Sequence, residues 1–377
     1  MPYKPKVFLT SNVFSDKEIG SNQRISKDIR NYIIDLWNQL NQISILKVFN
    51  GRFPSNDQLK KEITSFNPEI IGCHLSHPIS LEFLENTNVF AISTSTTGFN
   101  HIERPTKDDI IITHTPGILH ETVADYTIAI IMATLRNLID LHTYVWNEQW
   151  SSEDKWDLDK LLSNVISNKV LGIIGLGEIG KEIVKKLYPW GIKILYYDIK
   201  KMKEFENEYP LIEFKDNLKD IFVVSDIITL HIPLNEQTKY LVNQDLLKLT
   251  KQDALLVNTA RGPILDLDSL LTMLENKELQ INLALDVFPK EPIEKKVLDR
   301  IKKIKKEQPD IRIVLLPHNA SADANTRGRM AVLFLQDLIK LIKSKSVDDL
   351  EEIHIIPEQK IQLKEKKWKI INYWDKK

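Results

Sequence analysis

The chain has 377 residues, 42% of them hydrophobic and 27% charged, so it is long enough for two ordinary domains and too apolar for disorder. Its 51 basic and 52 acidic side chains leave a formal net charge of −1, which excludes a global field that would seek nucleic acid or an anionic membrane. The single cysteine, Cys73, excludes an intramolecular disulfide framework and any cysteine-rich zinc module. The most apolar helix-like stretch, 126–135, falls short of the roughly 20 residues that cross a bilayer, and the apolar run after Lys6 is too short for a secretory leader. The expectation is a cytoplasmic protein with no nucleic-acid or membrane partner.

In chain order, strands are predicted over 6–10, 43–49, 70–75, 89–93 and 110–113, with helices over 25–40, 57–66 and 81–85 between them. A long helix is predicted over 123–144. Strands follow over 170–174, 193–197, 227–231, 255–258, 281–286 and 313–316, with helices over 179–188 and 326–342. Such alternation predicts an α/β chain of two units, each a mostly parallel sheet with helices on both faces. The basic run 300–307 has the period of a solvated helix face. After Pro357 the chain is rich in Lys and Glu yet holds Trp368, Tyr373 and Trp374, whose rings need cover from their own chain or a partner.

Gly175-x-Gly177-x-x-Gly180 directly follows the apolar strand 170–174 and opens a helix. In that setting the first glycine permits a tight turn, the second lets a pyrophosphate approach the backbone, and the third lets helix and strand pack closely. The free N–H groups of Glu178 and Ile179 at the helix start would bind phosphate. The next strand ends at Asp198, an acid placed to hydrogen-bond ribose hydroxyls and repel a 2′-phosphate, so NAD is favoured over NADP. Lys200 and Lys201 lie close enough to soften that preference.

Three further strands deliver chemistry at their ends: Arg261 after 255–258, Asp286 with Glu291 after the next, and His318 after the last. In open parallel sheets, ligands bind outside the carboxyl ends of strands. Reduction of a 2-oxo acid needs a carboxylate anchor, a proton donor and a hydride source. A guanidinium suits the anchor because it pairs carboxylates bidentately and stays charged, and an imidazole suits the proton donor. A carboxylate beside that imidazole, Glu291, would orient the ring and favour its protonated form. His74 and His77 have HxxH spacing, but no third ligand lies nearby, so no metal is expected; Cys73 reads as a small buried residue.

Taken in order, the glycine fingerprint, Leu230-His-Ile-Pro233-Leu234 with Thr238, Asn258-Thr-Ala-Arg261-Gly262, Asp286-Val-Phe with Glu291-Pro292, and Pro317-His318 resemble the D-isomer-specific 2-hydroxyacid dehydrogenase family. Nearer the start, Ser93-Thr-Ser-Thr-Thr-Gly98-Phe-Asn100-His-Ile102 resembles the family's substrate loop, and Thr122-Val-Ala124 its cofactor-contacting helix start. The resemblance spans about residues 5–357. It implies a Rossmann NAD-binding domain, 118–317, inserted into a flavodoxin-like substrate domain made of 1–117 and 318–357, with a tail of unknown role over 358–377 and the active site in the cleft between.

The resemblance also implies that Arg261, Glu291 and His318 are catalytic, and that the backbone N–H groups of Thr97 and Gly98 join Arg261 on the substrate carboxylate. Cofactor contacts would come from Thr122, the glycine loop, Asp198, Ile232 and Pro233 on the adenine side, and Ser321. Asp286 and the backbone of Thr259, Ala260 and Arg261 would hold the nicotinamide carboxamide. A homodimer through the cofactor domain is implied, and the segment 318–331 is most similar to the glyoxylate and hydroxypyruvate reductase branch. The D-lactate, phosphoglycerate and phosphite dehydrogenases of the same family stay open, as does an NAD(H)-sensing, corepressor-like role. Glu178 departs from the basic or neutral polar residue usual there, and the stretch between Glu291 and His318 is longer than usual.

Overall fold

The computed structural model describes residues 3–103, 109–151 and 162–374. The chain divides into two compact units, Met1–Leu119 with Ala322–Lys377, and His120–Ser321. His318 therefore falls in the second unit, a few residues before the chain returns to the first.

The first unit is built on a five-stranded parallel sheet of β1 (Lys6–Leu9), β2 (Ile45–Val48), β3 (Ile70–Cys73), β4 (Ala91–Thr94) and β5 (Ile111–Thr113), in the order β2-β1-β3-β4-β5. The central strands β3 and β4 are buried along their whole length, as strands covered on both faces must be. The helix Lys27–Ile43 buries Ile33, Leu36, Trp37 and Leu40, a three- and four-residue spacing that makes one apolar stripe. It packs against the long helix Ala324–Lys343, which brings Phe334, Leu335 and Leu338 into the same core. Ser55 and Gln58 start the helix Asn56–Phe66 with a reciprocal capping box.

The aromatic tail packs on its own chain. Trp368 is 1% exposed and its indole N–H donates to the Leu363 carbonyl at 2.8 Å. Lys369 donates its backbone N–H to Asp109 and its ammonium to the Val89 carbonyl, while the Tyr373 hydroxyl donates to Glu69. The side chain of Trp374 lies outside the described residues.

The second unit carries seven parallel strands: β6 (Val170–Ile174), β7 (Lys193–Tyr197), β8 (Ile212–Phe214), β9 (Ile227–Leu230), β10 (Leu255–Asn258), β11 (Asn282–Leu285) and β12 (Ile313–Leu315). Their order, β12-β11-β10-β9-β6-β7-β8, places β6 at the point where the chain reverses its direction of travel across the sheet. Crevices for ligands form at the carboxyl ends of strands beside such a reversal. Helices Leu218–Val224 and Leu267–Glu275 and strand β8 are additional to the predicted elements; each is ten residues or shorter, too short for a clear period.

One predicted element is corrected. The single helix expected over 123–144 is two, His120–Leu135 and Leu138–Trp146, bent by 63°. Asn137 between them is left-handed, with φ of 54°, and the Arg312 guanidinium donates to the Leu135 carbonyl that the break exposes. An unbroken apolar composition hides this stop, because asparagine tolerates the left-handed region that other side chains avoid. No single helix among the described residues is long and apolar enough to cross a membrane. The basic run lies in the helix Lys295–Glu307, which buries Ile301 and Ile304 and pairs Arg300 with Glu275 and Asp268.

Candidate active site and cofactor cradle

At the end of β6 the backbone turns at Gly175 with φ of +97°, and a Cβ there would sit 2.6 Å from the His231 carbonyl oxygen. Only glycine fits both demands. At Gly177 an added Cβ would meet nothing within 4 Å. Nothing in the fold demands glycine at that position, and what the missing side chain leaves open is a cradle for a ligand at the start of the helix Glu178–Leu187. Gly177 caps that helix without a side-chain bond, and the first backbone bond of the helix runs from the Lys181 N–H to the Gly177 carbonyl at 3.0 Å. The N–H groups of Glu178, Ile179 and Gly180 thus have no intrahelical acceptor, and with the helix dipole they form an anion site. Glu178 itself is exposed.

Asp198 closes the cradle from the end of β7. Its Oδ2 accepts the Leu176 N–H at 2.7 Å and its Oδ1 the Ile199 N–H at 2.7 Å, so the carboxylate pins the glycine loop and retains lone pairs for ribose hydroxyls. Lys201 is paired with Glu206 at 3.1 Å. Half-buried Ile232 and exposed Pro233 follow β9, in a turn that the Thr238 hydroxyl fixes by donating to the Pro233 carbonyl. Thr122 lies in the first turn of the helix His120–Leu135, and Ser321 closes the second unit. The donor set, the open cradle and the acid fit a dinucleotide.

The three strands β10, β11 and β12 are neighbours in the sheet and carry the remaining groups at their carboxyl ends. Asn258, fully buried, shapes the loop after β10: its Oδ1 accepts the Ala260 N–H and its Nδ2 donates to the Arg261 carbonyl, both at 3.0 Å. The Thr259 hydroxyl shares a 3.0 Å hydrogen bond with Thr127. Gly262 lies so close to the Phe288 carbonyl that a Cβ would overlap it, which seats the Arg261 loop flush on the segment leading to Glu291. Burial pulls the Arg261 guanidinium below its usual pKa and the Glu291 charge pulls it back.

Glu291 and His318 meet directly, Nδ1 to Oε2 at 2.7 Å, with about a quarter of the imidazole and a third of the carboxylate exposed. A carboxylate only accepts, so Nδ1 carries the proton and Nε2 is left for chemistry. Glu291 Oε1 also accepts the Phe288 N–H at 3.0 Å. Burial alone would raise the Glu291 carboxyl, but the bonds from His318 and Phe288 and the charges of His318 and Arg261 hold it below the usual carboxylate range.

His318 is left-handed, with φ of 53°. Strain of that kind in a bulky residue needs support, and Asp286 supplies it. The Asp286 backbone carbonyl accepts the His318 N–H at 2.7 Å, and its carboxylate accepts the N–H groups of Asn319 and Ala320 at 2.8 and 2.9 Å. The Tyr126 hydroxyl donates to the same carboxylate at 3.2 Å. Asp286 is fully buried, and burial pushes its carboxyl up against the opposing pull of those donors. Sequence motifs pointed to Asp286 for the cofactor; its hold on the His318 turn, and Tyr126 as its partner, carried no sequence signal.

In the first unit, Thr97 and Gly98 sit in the loop after β4, half-buried, with the Thr97 hydroxyl donating to the Thr115 carbonyl at 2.7 Å. His77 uses both ring nitrogens, 2.7 Å from the Thr10 hydroxyl and 2.8 Å from the Arg52 carbonyl. The carbonyl can only accept, so Nε2 carries the proton. His74 stacks on it at 3.9 Å, and burial pushes His74 down to about 3. Burial pushes the Cys73 thiol up to about 12, which keeps it protonated and poorly nucleophilic.

A doubly wound sheet with a dinucleotide cradle and an acid–imidazole pair on one edge defines a nicotinamide-dependent dehydrogenase class. Residues 128–320 match the family model for the D-isomer specific 2-hydroxyacid dehydrogenase NAD binding domain. A glyoxylate reductase of Thermofilum pendens is 34% identical over 316 residues, 82% of this chain and 89% of the relative. Another, of Korarchaeum cryptofilum, is 31% identical over 89% of this chain and 92% of its own. Among solved structures, a glyoxylate reductase from Paecilomyes thermophila aligns with a TM-score of 0.74 at 22% identity, covering 95% of this chain and all of the other. The D-lactate dehydrogenase of Aquifex aeolicus, complexed with NAD and lactic acid, aligns with a TM-score of 0.71 at 23% identity, covering 93% and 98%. The chain belongs to the D-isomer specific 2-hydroxyacid dehydrogenase family. It is an NAD-dependent oxidoreductase of small 2-hydroxy and 2-oxo acids.

Proposed function

We propose that the protein reduces a small 2-oxo acid of the glyoxylate or hydroxypyruvate kind, with His318 and Glu291 as the acid–base pair and Arg261 as the carboxylate anchor. The observation that carries this reading is the 2.7 Å His318–Glu291 bond on the same strand edge as the glycine cradle. The glyoxylate reductases among its relatives support the substrate class.

The glycine loop, Glu178, Ile179 and Asp198 would hold the cofactor's phosphates and ribose. Thr122, Ile232, Pro233 and Ser321 would line it, and the backbone of Thr259 and Ala260 would meet the carboxamide. Asp286 accepts three hydrogen bonds, so its carboxylate retains a lone pair for that carboxamide as well. Bound NADH supplies the hydride. Arg261 would hold the acid's carboxylate, as would the N–H groups of Thr97 and Gly98 in the first unit. His318 would give its Nε2 proton to the carbonyl oxygen as that oxygen gains charge, while Glu291 stabilises the protonated ring through Nδ1.

We read the protein as a cytoplasmic homodimer joined through the helix Leu138–Trp146, where Leu138, Ile139, Val145 and Trp146 are about half or more exposed. So large an apolar face on one short helix suits a partner copy. The decisive experiment follows NADH and NADPH oxidation by absorbance with glyoxylate, hydroxypyruvate, pyruvate and bulkier 2-oxo acids. Turnover of glyoxylate or hydroxypyruvate with NADH, in preference to pyruvate and the bulkier acids, supports the proposal. NADH binding without turnover of any of them refutes it.

A further inference from the structure

The loop after β4 is held from one side by the chain that follows β5. Thr115 N–H donates to the Thr96 carbonyl at 3.0 Å, and the His114 ring, Nδ1, lies 2.8 Å from the Thr97 carbonyl. A carbonyl only accepts, so Nδ1 is the donor. In a planar trans peptide the N–H points opposite to the C=O of the same unit. Two successive carbonyls pinned toward Thr115 and His114 therefore turn two successive N–H groups, those of Thr97 and Gly98, to the opposite side. Neither N–H donates to another group of the chain among the described residues. Paired outward N–H groups of this kind form a concavity for an anion.

We propose that His114 is a positioning residue for substrate, holding the Thr97 carbonyl so that the Gly98 N–H stays aimed at the substrate carboxylate. This rests on the reading of Thr97 and Gly98 given above. His114 is itself held. Its ring meets Phe99 edge to face at 5.5 Å, and its backbone N–H donates to the His354 carbonyl at 2.9 Å. Next to it the segment 354–356 runs antiparallel to β5, through the Thr113–Ile355 bridge and the Ile356 N–H to the Ile112 carbonyl. The ring is 7% exposed. Burial lowers its pKa against the pull of the Thr97 carbonyl, with the His354 and Lys360 charges lowering it and Glu358 raising it. A neutral ring keeps its Nδ1 proton and adds no charge beside the carboxylate.

The test compares His114→Phe, which keeps a ring against Phe99 but has no donor, with His114→Asn, whose amide nitrogen can stand where Nδ1 stands. In the full chain, steady-state kinetics with glyoxylate, inhibition by oxamate, NADH binding by fluorescence and the thermal midpoint are measured for each. His114→Phe should raise KM for glyoxylate and Ki for oxamate by about ten- to a hundredfold, the range of one lost bond to a charged group. Its kcat and NADH affinity should stay near wild type, and His114→Asn should restore KM. An unmoved KM in His114→Phe overturns the proposal. So does an equal loss in both variants, which would make the ring's packing the cause. If wild-type protein turned over no 2-oxo acid, the proposed function would fail first, a result distinct from either.

Discussion

Asp286 grips His318 from two directions: its backbone carbonyl accepts the histidine N–H, and its carboxylate accepts the next two N–H groups along the chain. A left-handed histidine keeps its aim only while that grip holds. Asp286→Asn offers one acceptor oxygen where two N–H groups need one each, and turns an amide donor on the other. It should cost about 1–3 kcal/mol in denaturant midpoint, the penalty of one buried unsatisfied donor, and lower kcat more than it weakens NADH. Unchanged stability and kcat would show that the turn holds itself.

The acid and the anchor separate in kinetics. His318→Ala should cost about 10²- to 10⁴-fold in turnover, the range of a lost general acid, with NADH binding near normal. Arg261→Lys should act mainly on substrate, raising KM about tenfold, because an ammonium cannot make the bidentate pair. Near-wild-type turnover of both variants would contradict the assignment.

For Glu291 the pH dependence has a definite sign. Its carboxyl is held below the ordinary value of 4.5, so it stays ionised as the pH falls past that value and takes its proton only lower down. The stability it contributes is present above 4.5 and lost as the pH falls through the depressed value. The acid limb of kcat/KM for reduction should accordingly lie below pH 4.5 and be absent in Glu291→Gln. An acid limb that persists in the variant assigns it to another group.

Asp198 binds the Leu176 N–H and would also face the ribose, so its loss has two effects. Asp198→Ser should weaken NADH and, with the negative charge gone, raise the ratio of NADPH to NADH turnover by about tenfold or more. Parallel losses with both cofactors would restrict the acid to holding the glycine loop.

The tail is a structural tie of the first unit. Trp368→Ala should cost about 3–5 kcal/mol, as expected for a large buried aromatic, and leave KM of the folded fraction unchanged. A surface-like cost below 0.5 kcal/mol would contradict the observed packing.

Most of both sheets was legible from short apolar runs between turn residues, and the glycine loop from its setting, because local chemistry dictates those elements. The strands 170–174, 193–197 and 255–258 coincide with β6, β7 and β10 residue for residue. What escaped was non-local. The bend at Asn137 depends on one residue's dihedral and on Arg312, far along the chain. Tyr126 meets Asp286 across 160 residues, and His114 meets Thr97 only because the chain after β5 lies beside the loop after β4. Contacts of that sort leave no spacing rule in a sequence.

The three strands that carry Arg261, Glu291 and His318 also act as a ruler. Neighbouring strands stand about 4.8 Å apart, and β10, β11 and β12 are paired in fixed register, so the ladder sets the distances between the loop roots. Most of the residues between Glu291 and β12 are absorbed by the helix Lys295–Glu307, which packs against the sheet without entering the ladder. Insertions can accumulate in that excursion while the reacting groups keep their separation, which makes it the place to lengthen, tag or graft without retuning the chemistry.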